Sequence, residues 1–343
     1  MKPLRIVVYK ALPADVEARL AEHAELVPVA ADALHSSDAR TADAARAALA
    51  DALADADGAI GSSVTIDAAL LARATRLAVL STVSVGVDKF DLDDLTRRGI
   101  VLTHTPDVLT ETTADAVFAL MLASARRVVE MAELIRQGRW QASIGPAQYG
   151  VDVHHKTIGI VGFGRIGQAV ARRAALGFGM QVLYTGPRPV PQAESAYGAV
   201  RVELDALLAR ADFVCLQAPL TPATRHMIGA AELARMKPEA ILINAGRGAL
   251  VDETALVAAL REGRIRGAGL DVFETEPLPG DAPLARLPNV VALPHIGSAT
   301  LDTRHAMARN AADNLLAALD GARPQNVANP AVLARRRPVT RAR

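Results

Sequence analysis

At mid-chain a glycine-spaced turn, Gly162-Phe163-Gly164-Arg165-Ile166-Gly167, follows the β-branched run Thr157–Val161 and precedes the alanine-rich opening Gln168-Ala169-Val170-Ala171. This pattern predicts a strand, a tight turn and a helix packed back on the strand. Gly162 allows the turn, Gly164 lets a ligand's backbone-bound phosphates come close, and Gly167 lets the helix lie on the strand. The free amides of the helix N-terminus would meet those phosphates. A purely structural strand-to-helix turn is the bland alternative, and the flanking elements argue against it.

Short apolar runs recur on both sides of this turn. Ile6–Tyr9, Gly58–Gly61, Leu77–Leu80 and Gly99–Thr103 come before it, with a helix opening near Pro13. Gln181–Tyr184, Phe213–Gln217, Ala240–Asn244, Gly267–Val272 and Val290–Leu293 come after it. Strands alternating with helices predict parallel sheets covered on both faces, so the expected class is α/β, with two doubly wound domains. A continuous helix is expected from Glu111 to Gln137, started by Thr110, Thr113 and Asp115 and stopped at Gly138. The helix from about Leu301 to Leu319 is too late for the second sheet and should return to the first domain. The expected division is 1–103 with 295–330, a dinucleotide domain over 104–294, and a basic tail over 331–343. That tail, with Arg335, Arg336, Arg337, Arg341 and Arg343, reads as a solvated, frayed end.

Composition narrows the function classes. A chain of 343 residues with 51% hydrophobic and 22% charged residues has the balance of a globular protein with sizeable cores. Its formal net charge of +1 gives no drive toward nucleic acid or an anionic membrane. No signal-peptide pattern or apolar run of spanning length is visible, which points to the cytoplasm. The single cysteine, Cys215, lies in a buried-strand pattern and reads as a small core hydrophobe. The pair His154-His155 lacks metal-ligand spacing to other His or Cys, and no metal site is expected.

Two further observations sharpen the chemistry. A dinucleotide unit for NAD carries Asp or Glu at the end of the second strand, against the ribose 2′-hydroxyl. Thr185 stands there instead, in Tyr184-Thr185-Gly186-Pro187-Arg188. No carboxylate would repel a 2′-phosphate and Arg188 can pair with one, so NADPH is expected over NADH, unless Arg188 only faces solvent. Beyond this lie Arg247 in INAGRG, Glu276 in LDVFETEP and His295 in LPHIGS, each just past a strand-like run. A guanidinium can bridge the carboxylate and carbonyl oxygens of a 2-oxo acid. An imidazole can supply the proton, and a carboxylate behind it would hold the ring and stabilise its charged form. The run Ser84-Val85-Gly86-Val87-Asp88 could aim backbone amides at the substrate carboxylate, with Asp88 a cap or turn residue.

These residues resemble the D-2-hydroxyacid dehydrogenase family from about Leu77 to Pro330, through GIVGFGRIG, INAGRGALVDE, GAGLDVFETEP and LPHIGSAT. The resemblance implies Arg247, Glu276 and His295 as the catalytic set, and Val85, Gly86 and Arg247 as the hold on the substrate carboxylate. It further implies cofactor contacts from Gly162, Gly164, Arg165, Ile166, Gly167, Thr185, Arg188, Pro219, Ala245, Asp271, His295 and Gly297. STVSVGVDKFD, HTPDVLTETTAD and YTGPRP are most similar to the NADPH-dependent glyoxylate/hydroxypyruvate and 2-ketogluconate reductases of that family. Two Rossmann-like domains with a cleft between them, and a homodimer formed through the nucleotide domain, are implied as well. The first 70 residues match poorly. The competing class is a nucleotide-sensing corepressor-like interaction protein, which would share the fold and triad without turnover.

Overall fold

The computed structural model describes residues 3–339 apart from 31, 32, 35 and 37; Arg341 and Arg343 of the basic tail lie outside the described residues. The chain divides into two compact units, Met1–Leu109 with Thr300–Arg343, and Thr110–Ala299. Each is built on a parallel sheet.

The first unit holds β1 (Arg5–Tyr9), β2 (Glu25–Pro28), β3 (Gly58–Gly61), β4 (Val79–Thr82) and β5 (Val101–Thr103), in the order β2-β1-β3-β4-β5. Every residue of β3 and β4 is buried, as expected of parallel strands covered on both faces. Helix α1 (Ala14–Ala21) packs on α11 (Leu301–Leu319), and α11 lies on β3 and β4. There Ser81 Oγ donates to the Ala311 carbonyl at 2.8 Å. On the other face Leu49 and Leu53 of α2 (Ala39–Ala54) join Val7, Tyr9 and Leu80 in one core. The short α3 (Leu92–Arg97) leads into β5. Asp57 ties strand starts together, accepting from Arg5 N at 3.0 Å and from Arg76 Nη2 at 2.8 and 2.9 Å.

The second unit holds β6 (Thr157–Val161), β7 (Gln181–Thr185), β8 (Val200–Arg201), β9 (Phe213–Leu216), β10 (Ile241–Asn244), β11 (Gly267–Leu270) and β12 (Val290–Ala292). Their order is β12-β11-β10-β9-β6-β7-β8, all parallel. Helices α4 (Thr110–Ala125), α6 (Arg165–Phe178) and α7 (Pro191–Tyr197) contribute to the core on one face. The other face packs against α8 (Leu204–Arg210), α9 (Ala230–Arg235) and α10 (Glu253–Arg261). The doubly wound α/β class expected from the sequence is present in both units. Cys215 is fully buried and its thiol is pushed up to about 12 by that burial, the behaviour of a core residue.

Two expectations need correction, and two edge strands were not foreseen. The helix foreseen over 111–137 is two helices, α4 and α5 (Val128–Arg136), separated by Arg127 at φ 53°. The Ala125 carbonyl accepts from Val151 N at 2.8 Å, so an incoming loop segment terminates α4 without any Pro or Gly at the break. The edge strands β2 and β8 carry too little apolar pattern to be read from sequence. The tail is not wholly solvated: Arg337 Nη1 donates to the carbonyls of Ala74, Thr75 and Leu77 at 2.8, 2.8 and 3.2 Å. One guanidinium nitrogen gathers three carbonyls at the approach to β4.

Candidate active site

The second sheet reverses its direction of growth between β6 and β9, and parallel sheets bind ligands beyond their carboxyl ends at such a point. The glycine turn sits there. Gly162 has φ 93°, and a Cβ on it would lie 2.4 Å from Ala218 N, just past β9. A Cβ on Gly167 would lie 2.4 Å from the Gly162 carbonyl. Gly164, at the N-cap of α6, has nothing within 4 Å of where its Cβ would stand. Two glycines are thus required by the protein's own packing, while the third leaves open space at a helix N-terminus. That is the cradle a dinucleotide diphosphate fits. Arg165 and Ile166 open the helix, Arg165 exposed and Ile166 half-buried.

Past β7, Thr185 is half-buried and Arg188 exposed. Phe163 stacks on Tyr184 with ring centroids 3.9 Å apart, which seats the glycine turn against β7. Arg201, unmarked by sequence reasoning, grips this turn: its Nε and Nη2 donate to the Gly186 carbonyl at 3.1 and 2.9 Å. Only the pairing of β8 with β7, Tyr184 opposite Arg201, brings it there. Pro219, exposed beyond β9, accepts from Thr224 Oγ1 through its carbonyl at 2.7 Å.

The residues expected to be the reacting groups leave from β10, β11 and β12. Asn244 is buried at the end of β10, and its side chain braces the Ala245–Arg247 turn. It donates to the Arg247 carbonyl at 2.9 Å and accepts from Gly246 N at 3.1 Å. Asp271, past β11, spends both carboxylate oxygens on backbone amides, accepting from Ile296 N and Gly297 N at 2.7 Å each. These bonds hold the turn that presents His295 at φ 55°. Burial pushes the Asp271 carboxyl above its usual range, although the two amides and the His295 charge pull the other way. Glu276 accepts from Phe273 N at 3.0 Å through Oε1, and its Oε2 lies 2.8 Å from His295 Nδ1. Burial raises Glu276, but the His295 bond and charge, the Phe273 amide and the Arg247 charge outweigh it and hold the carboxyl below its usual range.

A second carboxylate pair, also missed from sequence, braces this loop. Glu253 N donates to Glu274 Oε1 at 3.2 Å and Glu274 N donates to Glu253 Oε1 at 2.7 Å. His226 Nε2 lies 3.2 Å from the same Glu274 oxygen. Burial first, then the nearby Glu274 and Glu276 charges, lift Glu253 above the usual carboxylate range despite the Glu274 amide.

The second unit therefore carries the glycine turn, Thr185, Arg188, Pro219, Ala245, Arg247, Asp271, Glu276, His295 and Gly297 at the carboxyl ends of its strands. Of the catalytic set, Glu276 and His295 are in direct contact, and Arg247 acts on Glu276 through its charge. Val85 and Gly86 belong to the first unit, half-buried past β4. Among the described residues no group of three or more His, Cys, Asp and Glu is placed to hold a metal ion, and no helix is long and apolar enough to cross a membrane.

Comparison with known proteins adds three findings. The family model described as D-isomer specific 2-hydroxyacid dehydrogenase, NAD binding domain, matches residues 118–297. Glyoxylate/hydroxypyruvate reductase B of Yersinia enterocolitica is 56% identical over 333 residues, covering 97% of this chain and 99% of that protein. Among solved structures, the TT0316 protein of Thermus thermophilus superposes with a TM-score of 0.84 at 45% identity, over 95% of this chain and 100% of that one. The NADPH-dependent glyoxylate/hydroxypyruvate reductase of Sinorhizobium meliloti, in complex with NADP and malonate, gives 0.82 at 33% identity, over 98% of this chain and 99% of that one.

Proposed function

Since the chain belongs to the D-isomer specific 2-hydroxyacid dehydrogenase family and is an oxidoreductase, we propose that it reduces glyoxylate or hydroxypyruvate to the D-2-hydroxy acid with NADPH. The observation that carries this reading is the 2.8 Å contact between His295 Nδ1 and Glu276 Oε2. With Nδ1 committed to the carboxylate, Nε2 is the atom left to serve the substrate.

When bound, the nicotinamide supplies the hydride that reduces the carbonyl carbon. The Arg247 fork binds the substrate carboxylate and carbonyl oxygen and stabilises the charge that grows on that oxygen, a contribution of roughly 3–4 kcal/mol for a donor in a dry site. The oxygen takes the proton from His295 Nε2, and a proton from solvent restores the imidazolium. Glu276 keeps the ring oriented. The Val85 and Gly86 amides are assigned to the substrate carboxylate, and Asp271 acts by holding the His295 turn.

The preference for NADPH follows from the absence of a carboxylate at Thr185 and from the two arginines at that turn, Arg188 exposed and Arg201 bound to Gly186. The Sinorhizobium relative, NADPH-dependent by name and solved with NADP, supports the same choice. The test is loss of NADPH absorbance with each acid, repeated with NADH. His295→Gln should lower kcat by about a hundredfold or more. No turnover of either acid by the wild type, or a preference for NADH, would overturn the corresponding part of the reading.

A homodimer formed through the second unit completes the proposal. Helix α5 has no buried residue, and Val128, Val129 and Ile135 stand exposed on it, followed by exposed Trp140, Ile144 and Tyr149. Six exposed large apolar residues within one short segment support an association surface there. A cytoplasmic setting accords with the single, buried, unpaired Cys215.

A further inference from the structure

The first sheet also reverses its direction of growth, between β1 and β3. Connections leave such a point toward opposite faces, and a crevice opens at the carboxyl ends of the two strands. Lys10 is the first residue past β1, and Ser62 and Ser63 are the first past β3. Lys10 Nζ donates to Ser62 Oγ across that crevice at 2.7 Å. Ser63 adopts φ 68°, a left-handed conformation that costs a serine about 1 kcal/mol and recurs at functional sites. Its carbonyl accepts from Lys89 Nζ at 2.8 Å.

This edge continues into the segment assigned to the substrate carboxylate. Val83 N donates to the Gly61 carbonyl at 2.8 Å, coupling the exits of β4 and β3. Thr82 Oγ1 and Ser84 Oγ are 2.8 Å apart, and Ser84 Oγ donates to the Gly86 carbonyl at 2.9 Å, which shapes the turn carrying Val85 and Gly86. Neighbouring strands lie about 4.8 Å apart, so the crevice is one to two strand spacings from the β4 exit. That is the reach of a short hydroxylated carbon chain.

We propose that Lys10 and Ser62 bind the hydroxylated tail of the 2-oxo acid whose carboxylate meets the Val85 and Gly86 amides, and thereby select acids hydroxylated at C3 and beyond. Ser62 Oγ accepts from Lys10, and among the described residues its own proton has the distant Ser63 Oγ, at 3.4 Å, within reach. A tail hydroxyl can accept that proton. An apolar tail would desolvate the ammonium and the hydroxyl and return no hydrogen bond. The inference rests on the reading of this chain as a 2-oxo acid reductase.

Three substrates at fixed NADPH test it: glyoxylate, which has no carbon beyond C2, hydroxypyruvate, with one hydroxylated carbon, and 2-ketogluconate, with several. In Lys10→Met, the ratio of kcat/KM for hydroxypyruvate or 2-ketogluconate to that for glyoxylate should fall about tenfold. Ser62→Ala should move the ratio in the same direction, through a higher KM. An equal loss on all three substrates, or an unmoved ratio in both variants, overturns the tail site while the reductase reading stands. Turnover of none of the three by the wild type overturns both.

Discussion

At Glu276 two influences oppose each other: burial favours the neutral acid, while His295, the Phe273 amide and Arg247 favour the carboxylate. The second set prevails, so the carboxyl is held below its usual value of 4.5. A carboxyl lowered in this way keeps its ion pair through the ordinary carboxylate range and loses it only as pH falls through the depressed value. Reduction should therefore show no acid limb near the usual carboxylate value from this group. Glu276→Gln keeps the shape and removes the charge that holds the His295 ring, so under the proposed mechanism kcat for reduction should fall about tenfold with little change in KM. A kcat equal to that of the wild type would remove Glu276 from the role of orienting His295.

The strands and helices that were legible in the sequence are those whose local pattern agrees with their burial. Val7 and Val8 in β1, the all-buried β3 and β10, and α11 with its Thr300 cap all declare themselves locally. What escaped was set by tertiary partners. Nothing between Ala125 and Val128 breaks a helix; the Val151 amide does so from a later segment of the chain. The site divides the same way. Arg247, Glu276 and His295 were legible because their chemistry is unusual beside apolar strand ends, and Gly162 and Gly167 because close packing demands them. The braces were not, since Asn244 under the Arg247 turn and Glu253 against Glu274 acquire meaning only from contacts. Glu253 belongs to α10 yet fixes the loop that carries Glu276. Glu253→Ala should consequently lower kcat by about fivefold to tenfold with little change in KM, because a misplaced group far from the reacting atoms costs rate more than binding. Retention of full kcat would show that the Phe273–Glu276 bond alone holds the loop.

For the whole molecule, the exposed apolar residues of and after α5 bear on assembly. Helix α5 cannot owe its place to a core, since it buries no residue, and its start is tied by Arg127 to Glu130 at 2.7 Å. A nine-residue helix is marginal in water by itself, so an apolar face left in solvent there would add cost without return. The proposed pairing with a second copy would resolve this by covering exposed Val128, Val129, Ile135 and Trp140. Wild-type protein should then scatter light as twice the 36.0 kDa chain mass, and Trp140, the single tryptophan, should emit at shorter wavelength than a solvated indole. Ile135→Glu places a charge in that face and leaves the cores of both units untouched. It should give the monomer mass with red-shifted emission. A wild type of monomer mass at micromolar concentration, or a variant that remains dimeric, would show that α5 is not the contact.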